Sequence, residues 1–343
     1  MKTIEDSKAV FARFRDALYH CDRDGLQATL AELVSPDCDI TLPHPIGPVT
    51  GPDALVDHGY TPLLDSIPDL ERRDTIVVGA EQDGEHWIGC AGHYQGVFDH
   101  PWLDIPATRH LVHLRYIEFF RIDGDRIASM RLLWDIPSVM MQADAWPMAP
   151  SLGREILVPG PASNDGVIDD CRTDEQAAAS MQLVNDMVTG LAKFADGGAE
   201  AMTPEAFWHP KMTWYGPAGI GANRRVSGFR NWHQIPFLKS LPDRIANTEA
   251  GGRDCYFADG NYVAFCGWPA MSATVSGDGW MGIAPSGKRI DFASLDIWRC
   301  ENGVIRENWV MIDILDVWRQ LGVDVLERMR EITFARQPND FKA

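Results

Sequence analysis

The sequence predicts an α+β protein of two tandem cone-shaped domains, each with three helices packed on a curved, mainly antiparallel sheet. Three observations predict it. The chain repeats itself: Pro36, Pro62, Leu64, Ser66, Pro68 and Asp69 recur 174 positions later as Pro210, Pro236, Leu238, Ser240, Pro242 and Asp243. Arg121, Ile127, Asp135 and Val139 recur 178 positions later as Arg299, Ile305, Asp313 and Val317. A period this long means two copies of a whole domain, not a solenoid. Each copy also passes from helical spacing to strand alternation. Finally, 343 residues fit two domains at a prior of roughly 150 residues each.

The elements follow in order. Val10, Phe11, Phe14 and Leu18 give the first helix one apolar face; Val184, Val188, Leu191 and Phe194 do so in the second copy. Thr173-Asp174-Glu175-Gln176 has the form of a capping box and starts that second-copy helix. A short second helix carries Leu26, Leu30 and Leu33, matched by the stretch after Thr203-Pro204, because proline suits a first helical position. The third helix runs over Pro52 to Leu64 and Phe229 to Leu238. Strands are predicted at 75–78, 87–98, 110–122 and 126–135, and at 255–257, 262–273, 289–300 and 304–313. Asp123-Gly124 and Asn302-Gly303 mark hairpin turns between the last two strands of each copy. The predicted domains are 1–146 and 173–343. The proline-rich stretch 147–172 reads as a linker that also has the length to wrap one domain against the other.

Composition excludes several partners. Lys and Arg total 31 against 49 Asp and Glu, a formal net charge of -18. No basic stripe is left to displace phosphate counterions, so no nucleic acid partner is expected, and the same repulsion disfavours anionic membranes. No run of apolar residues is long enough to span a bilayer. The seven cysteines are scattered without a C-x-x-C pair. With no apolar signal segment after Met1, this predicts a reducing, cytoplasmic location. No phosphate loop, dinucleotide fingerprint, nucleophile elbow or metal-ligand spacing is present, so no cofactor and no metal are expected.

The run Gly279-Trp280-Met281-Gly282-Ile283-Ala284-Pro285-Ser286-Gly287-Lys288-Arg289-Ile290 resembles the loop-and-strand stretch of SnoaL-like polyketide cyclases, in the NTF2-like superfamily. So does the continuation through Leu295-Asp296-Ile297-Trp298-Arg299 and Asn302-Gly303 to Glu307-Asn308-Trp309 and Asp313. Gly92-His93-Tyr94-Gln95-Gly96, Ile105-Pro106 and Phe119-Phe120-Arg121-Ile122-Asp123-Gly124 are a weaker match in the first copy. The resemblance implies a cofactor-free acid/base site in each cone and sheet-to-sheet pairing, here as an intrachain pseudo-dimer with further homo-oligomerisation possible. The family motif places His and Asp where this chain has Asn308 and Val310, and Met130 and Leu132 stand there in the first copy. The family's catalytic pair therefore does not carry over, whereas the later aspartate persists as Asp135 and Asp313.

Strand alternation adds candidates. With Asn302-Gly303 as a two-residue turn, Asp296 faces Trp309, which places Ser294, Asp296, Trp309, Met311 and Asp313 on one face. Leu295, Ile297, Val310 and Ile312 then form an apolar face for sheet packing. The same parity puts Glu118 with Arg131, Leu133 and Asp135, and His93, at the position of Trp268, within reach of Glu118. The candidate catalytic residues are thus Glu118, His93, Asp135, Asp296 and Asp313, and the candidate binding residues Trp268, Trp309, Met311 and Asn308. A carboxylate among Trp and Met has its pKa raised, which suits proton transfer near neutrality. A wetter sheet face, or for Asp313 a helix cap, explains the same residues structurally. Three functions stay open: a cyclase, isomerase or dehydratase acting on a small hydrophobic carbonyl compound, a non-catalytic carrier of a small hydrophobic or aromatic ligand, and an interaction module that uses only the fold's surfaces. One active and one degenerate copy are expected, with the first copy favoured for His93.

Overall fold

The computed structural model describes residues 2–21, 23–167, 172–193, 198–246 and 254–336. The first domain begins with α1 (Ile4–His20) and α2 (Arg23–Leu33), then β1 (Val34–Thr41) and β2 (Pro48–Thr50). A continuous helical stretch follows: α3 (Gly51–Leu55), a π turn (Val56–Tyr60) and α4 (Thr61–Ser66). Four long strands then run as β3 (Glu71–Gln82), β4 (Glu85–Val97), β5 (Leu111–Asp123) and β6 (Arg126–Trp134), closed by α5 (Ile136–Gln142). The second domain repeats the order: α6 (Asp174–Ala192), β7 (Trp208–Tyr215), β8 (Asn223–Arg224) and α7 (Arg225–Phe229). After a π turn (Arg230–Gln234) come α8 (Ile235–Ser240), β9 (Ile245–Ala246), β10 (Cys255–Asp259), β11 (Tyr262–Thr274), β12 (Arg289–Glu301) and β13 (Val304–Ile312). Helices α9 (Ile314–Leu321) and α10 (Val325–Arg336) end the described chain.

Each sheet is mixed. The order is β2-β1-β6-β5-β4-β3 in the first domain and β8-β7-β13-β12-β11-β10 in the second, with β9 beside β11. β1 and β7 run parallel to β6 and β13; the other pairings are antiparallel. Sequence pattern missed β1, because Pro36 and two aspartates interrupt its alternation.

Helix faces explain the cones. Val10, Phe11, Phe14 and Leu18 of α1 are buried as expected. In α6, Val184 and Met187 are buried whereas Val188 is exposed; Phe194 lies outside the described residues. Thr173 caps α6 by accepting from the Gln176 amide. After Thr203 only a single 3-10 turn forms, Pro204–Ala206, in place of the expected second helix. Asn302 and Gly303 take φ of 51° and 76°, the two left-handed conformations a type I′ turn needs.

The two sheets pack face to face within the chain. Ile76, Val78, Ile117, Phe119 and Leu133 meet Phe257, Leu295, Ile297, Trp309 and Met311. Arg115 crosses this interface to donate to the carbonyls of Tyr215, Gly216 and Val310 at 2.8–3.0 Å. The stretch after α5 runs along the junction: the Pro159 carbonyl accepts from Trp309 Nε1 at 3.0 Å, and the Gly166 carbonyl from the Val77 amide at 2.8 Å.

One expectation about the interface is corrected. Leu295 and Ile297 do face the other sheet, but Val310 and Ile312 face the second cone. The register shifts between Arg299 and Cys300, where Arg306 is extra, so Asp296 pairs with Val310 and Ile297 with Trp309. A one-residue bulge turns every side chain beyond it to the other face.

Candidate active site in the second cone

Glu118 points into the first cone, on the face of Leu132 with which it pairs, not that of Arg131 and Leu133. It is fully buried and fully partnered. Its carboxylate accepts from Arg72 Nη1 at 2.7 Å, Trp134 Nε1 at 2.8 Å and the Tyr94 hydroxyl at 3.3 Å. Arg72 also donates to Asp74 at 2.9 Å and stands 4.3 Å from the Tyr116 ring centroid. The paired Arg72 guanidinium holds the Asp74 carboxyl below the usual carboxylate range despite its burial. Tyr60, Tyr94, Trp102 and Trp134 pack edge to face or tilted above this network and fill the cone. Among the described residues, each carboxylate oxygen of Glu118 and Asp74 has a partner.

The second cone replaces each part. Asp296 occupies the position of Glu118, 178 residues on, and Ile312 that of Trp134. By strand register, Met271 stands where Tyr94 does and Ser294 where Tyr116 does. Asp296 keeps two described hydrogen-bond partners, Ser294 Oγ at 2.9 Å and Asn308 Nδ2 at 3.4 Å. Burial pushes its carboxyl up to about 7, and those two hydrogen bonds only partly oppose the shift. Protein surrounds the carboxyl, and the residue as a whole is half-buried.

Asn308 pairs with Trp214 across the parallel β7–β13 ladder, and the Trp214 ring stacks on His233 at 4.1 Å. His233 lines a groove of about 420 Å³ whose walls include Leu152, Trp232, Trp280, Met281 and Ile283. Trp280 packs on Phe292, which shares a face with Ser294 and Asp296 along β12. Phe292 and Asp296 are four residues, roughly 13 Å, apart. A larger cleft of about 1050 Å³ lies between the N-termini of α1 and α6. Its walls carry charged groups, including the Lys8–Asp259 pair at 2.8 Å, so the apolar groove fits a hydrophobic ligand better.

His93, Trp268, Trp309 and Met311 do not join this site. All four belong to the inter-sheet side. His93 pairs with Arg115 and its ring lies 6.4 Å from that of His113, beside a space of about 20 Å³, room for one water. It is therefore separated from Glu118 by the sheet. The bulge beside Arg299 has the same consequence for Trp309 and Met311.

Asp135 and Asp313 have a shared structural place. Asp135 accepts from the Ala218 amide at 3.0 Å and Asp313 from the His44 amide at 2.8 Å, each reaching into the other domain. His44 and Ala218 are themselves related by the 174-residue offset. Asp313 also caps α9 through the Asp316 amide at 3.1 Å. Burial raises Asp135 to about 6 and Asp313 to about 7. The repeated aspartate is thus a pseudo-symmetric clamp between domains. His233 and its neighbour Gln234 escaped sequence reasoning. Their signal was the replacement of Gly59-Tyr60 by His233-Gln234 just before the repeated Pro62/Pro236.

The pH dependence has a definite sign. Asp296 titrates at about 7 when folded and at an ordinary 3.8 when unfolded. Between these values the native state binds the extra proton, so this group's contribution to stability is lost as pH rises. Buried histidines such as His233, pulled down to about 3, act oppositely over pH 3–6.5. The informative quantity is therefore the difference between proteins. Asp296→Asn should gain stability relative to wild type from pH 4 to 7, by up to about 4 kcal/mol, and then level off. Urea midpoints across pH 4–8 check this.

The architecture defines the class: two α+β domains, each a mixed sheet with helices, packed sheet to sheet within one chain. Residues 191–321 match the family model described as SnoaL-like polyketide cyclase. Among solved structures, similarity is found to a protein from Jannaschia sp. CCS1 provisionally named a SnoaL-like polyketide cyclase. It has 20% identity and a TM-score of 0.35, over 40% of this chain and 90% of that one. IdmH of Streptomyces antibioticus, provisionally named a polyketide cyclase, has 18% identity and a TM-score of 0.34, over 40% and 97%. An NTF2-like protein from Burkholderia xenovorans LB400 has 13% identity and a TM-score of 0.33, over 42% and 97%. No curated protein sequence matches the chain. Among the described residues, no helix is long and apolar enough to cross a membrane.

Proposed function

We propose that the second domain binds a small hydrophobic carbonyl compound and moves protons on it without a cofactor, as a cyclase, isomerase or dehydratase does. The observation that carries this reading is Asp296: a half-buried residue whose carboxyl is held to about 7, beside the Asn308 amide. Near neutrality both its forms are populated. The neutral form donates a hydrogen bond to a carbonyl oxygen and makes the adjacent C–H more acidic; the ionised form accepts a proton from carbon. Asn308 and Ser294 stabilise the ionised form by donating to it. Trp214, Phe237, Trp280 and Phe292 supply aromatic walls suited to an apolar ligand body.

The first domain, in this reading, is a structural partner whose charges are locked by Arg72. This reverses the expectation that favoured the first copy. Domain limits at 1–146 and 173–343, with 147–172 as linker, form part of the same proposal. The test is ring opening of 5-nitrobenzisoxazole, which needs loss of one carbon-bound proton, by wild type and Asp296→Asn. Saturable binding of apolar compounds without any proton transfer would instead support a carrier.

A further inference from the structure

We propose that His233 anchors the ligand of the second cone by hydrogen bonding an uncharged hydroxyl group, and thereby sets specificity there. The inference rests on the preceding section only in placing a ligand at this site; it holds for turnover and for carriage alike.

The π turn Arg230–Gln234 presents His233 to the groove. The first domain has the same turn, Val56–Tyr60, with Gly59 at the matching place. There the Trp134 ring edge lies 3.6 Å from where a Cβ on Gly59 would stand. In the second domain Ile312 replaces that tryptophan, and an imidazole stands at the position of the glycine. π turns inserted in α-helices are frequent at functional sites.

Three aromatic rings fix the imidazole plane: Trp214 at 4.1 Å, Phe229 at 5.5 Å and Phe237 at 5.6 Å. Stacking orients the ring but satisfies neither nitrogen. Nδ1 is buried with no hydrogen-bond partner among the described residues. Next to it in sequence, Gln234 is 4% exposed and its Oε1 is also unpartnered. Buried polar groups without partners are rare enough that each needs an explanation, and of these two it is the imidazole that lines the groove. Burial among these rings holds the imidazole neutral, with one donor and one acceptor nitrogen. A hydroxyl both donates and accepts, so it satisfies either ring tautomer. A charged ligand group at this place would instead be desolvated against Trp214, Phe229 and Phe237. The groove volume of about 420 Å³ lies within the range of small-molecule sites, on the order of 300–1,000 Å³.

The test uses the full chain and two neutral probes of similar shape, 2-naphthol and 2-methylnaphthalene, in equilibrium dialysis at pH 7. Wild type should bind 2-naphthol about five- to tenfold more tightly, the worth of one net hydrogen bond. His233→Phe keeps a ring for stacking and should bind both probes equally, with the affinity for 2-methylnaphthalene retained. Asp296→Asn should keep the wild-type preference, which separates this contact from the proton-transfer reading. Equal binding by wild type, no binding of either probe, or a preference that survives His233→Phe overturns the proposal. So does a preference lost only in Asp296→Asn.

Discussion

Arg72→Met should destabilise the protein by about 3–5 kcal/mol, because it removes one partner of a buried ion pair and leaves the other. Arg72 is 2% exposed and donates to Glu118, Asp74, Tyr94 and Cys90. Its loss strands the Glu118 carboxylate, left to Trp134 and Tyr94, whereas Asp74 keeps Arg15 and Tyr116. Adding Glu118→Gln to Arg72→Met should restore part of the loss, since the stranded charge is then gone. Urea unfolding of the two single variants and the double variant measures the coupling directly. A loss below about 1 kcal/mol for Arg72→Met would show that the network is not what holds the first cone together.

Asp296→Asn should lower the rate of 5-nitrobenzisoxazole opening by about 10²–10⁴, the usual worth of a positioned general base. The amide is isosteric and needs no proton to be neutral, so the fold is retained and, above pH 4, gains stability. Opposite signs for stability and rate are expected where a buried ionisable group is kept for chemistry. The wild-type rate should rise through pH 7 as the carboxyl ionises, following its raised value of about 7. A rate that is unchanged in Asp296→Asn would take this carboxyl out of the reaction.

The comparison of Glu118 with Asp296 shows how far a sequence speaks. The 174- and 178-residue offsets placed both carboxylates at one structural position, and both do point into their cones. What differs is their company, and that comes from residues distant in sequence. Arg72 enters from β3, Tyr94 from β4 and Trp134 from β6, while Met271 and Ile312 stand in the places of Tyr94 and Trp134 in the second domain. Parity reasoning was sound as far as the bulge beside Arg299, where one extra residue, Arg306, reverses it. No local signal in Arg299-Cys300 announces that shift. Asp135 and Asp313 were legible as repeated but not as clamps, because their partners His44 and Ala218 belong to the opposite domain. His233 was visible only as a histidine in a helix. Its meaning depends on the rings of Trp214, Phe229 and Phe237, two of which sit four residues away on either side.

The central claim is that one buried carboxyl in the second cone stays poised near neutrality while its counterpart in the first is locked in an ion pair. The most direct measurement is the pH titration of aspartate side-chain carboxyls by ¹³C NMR, with the Asp296 signal assigned by its loss in Asp296→Asn. The account predicts a midpoint near 7. A midpoint below about 5, close to the ordinary range of an aspartate, would contradict it.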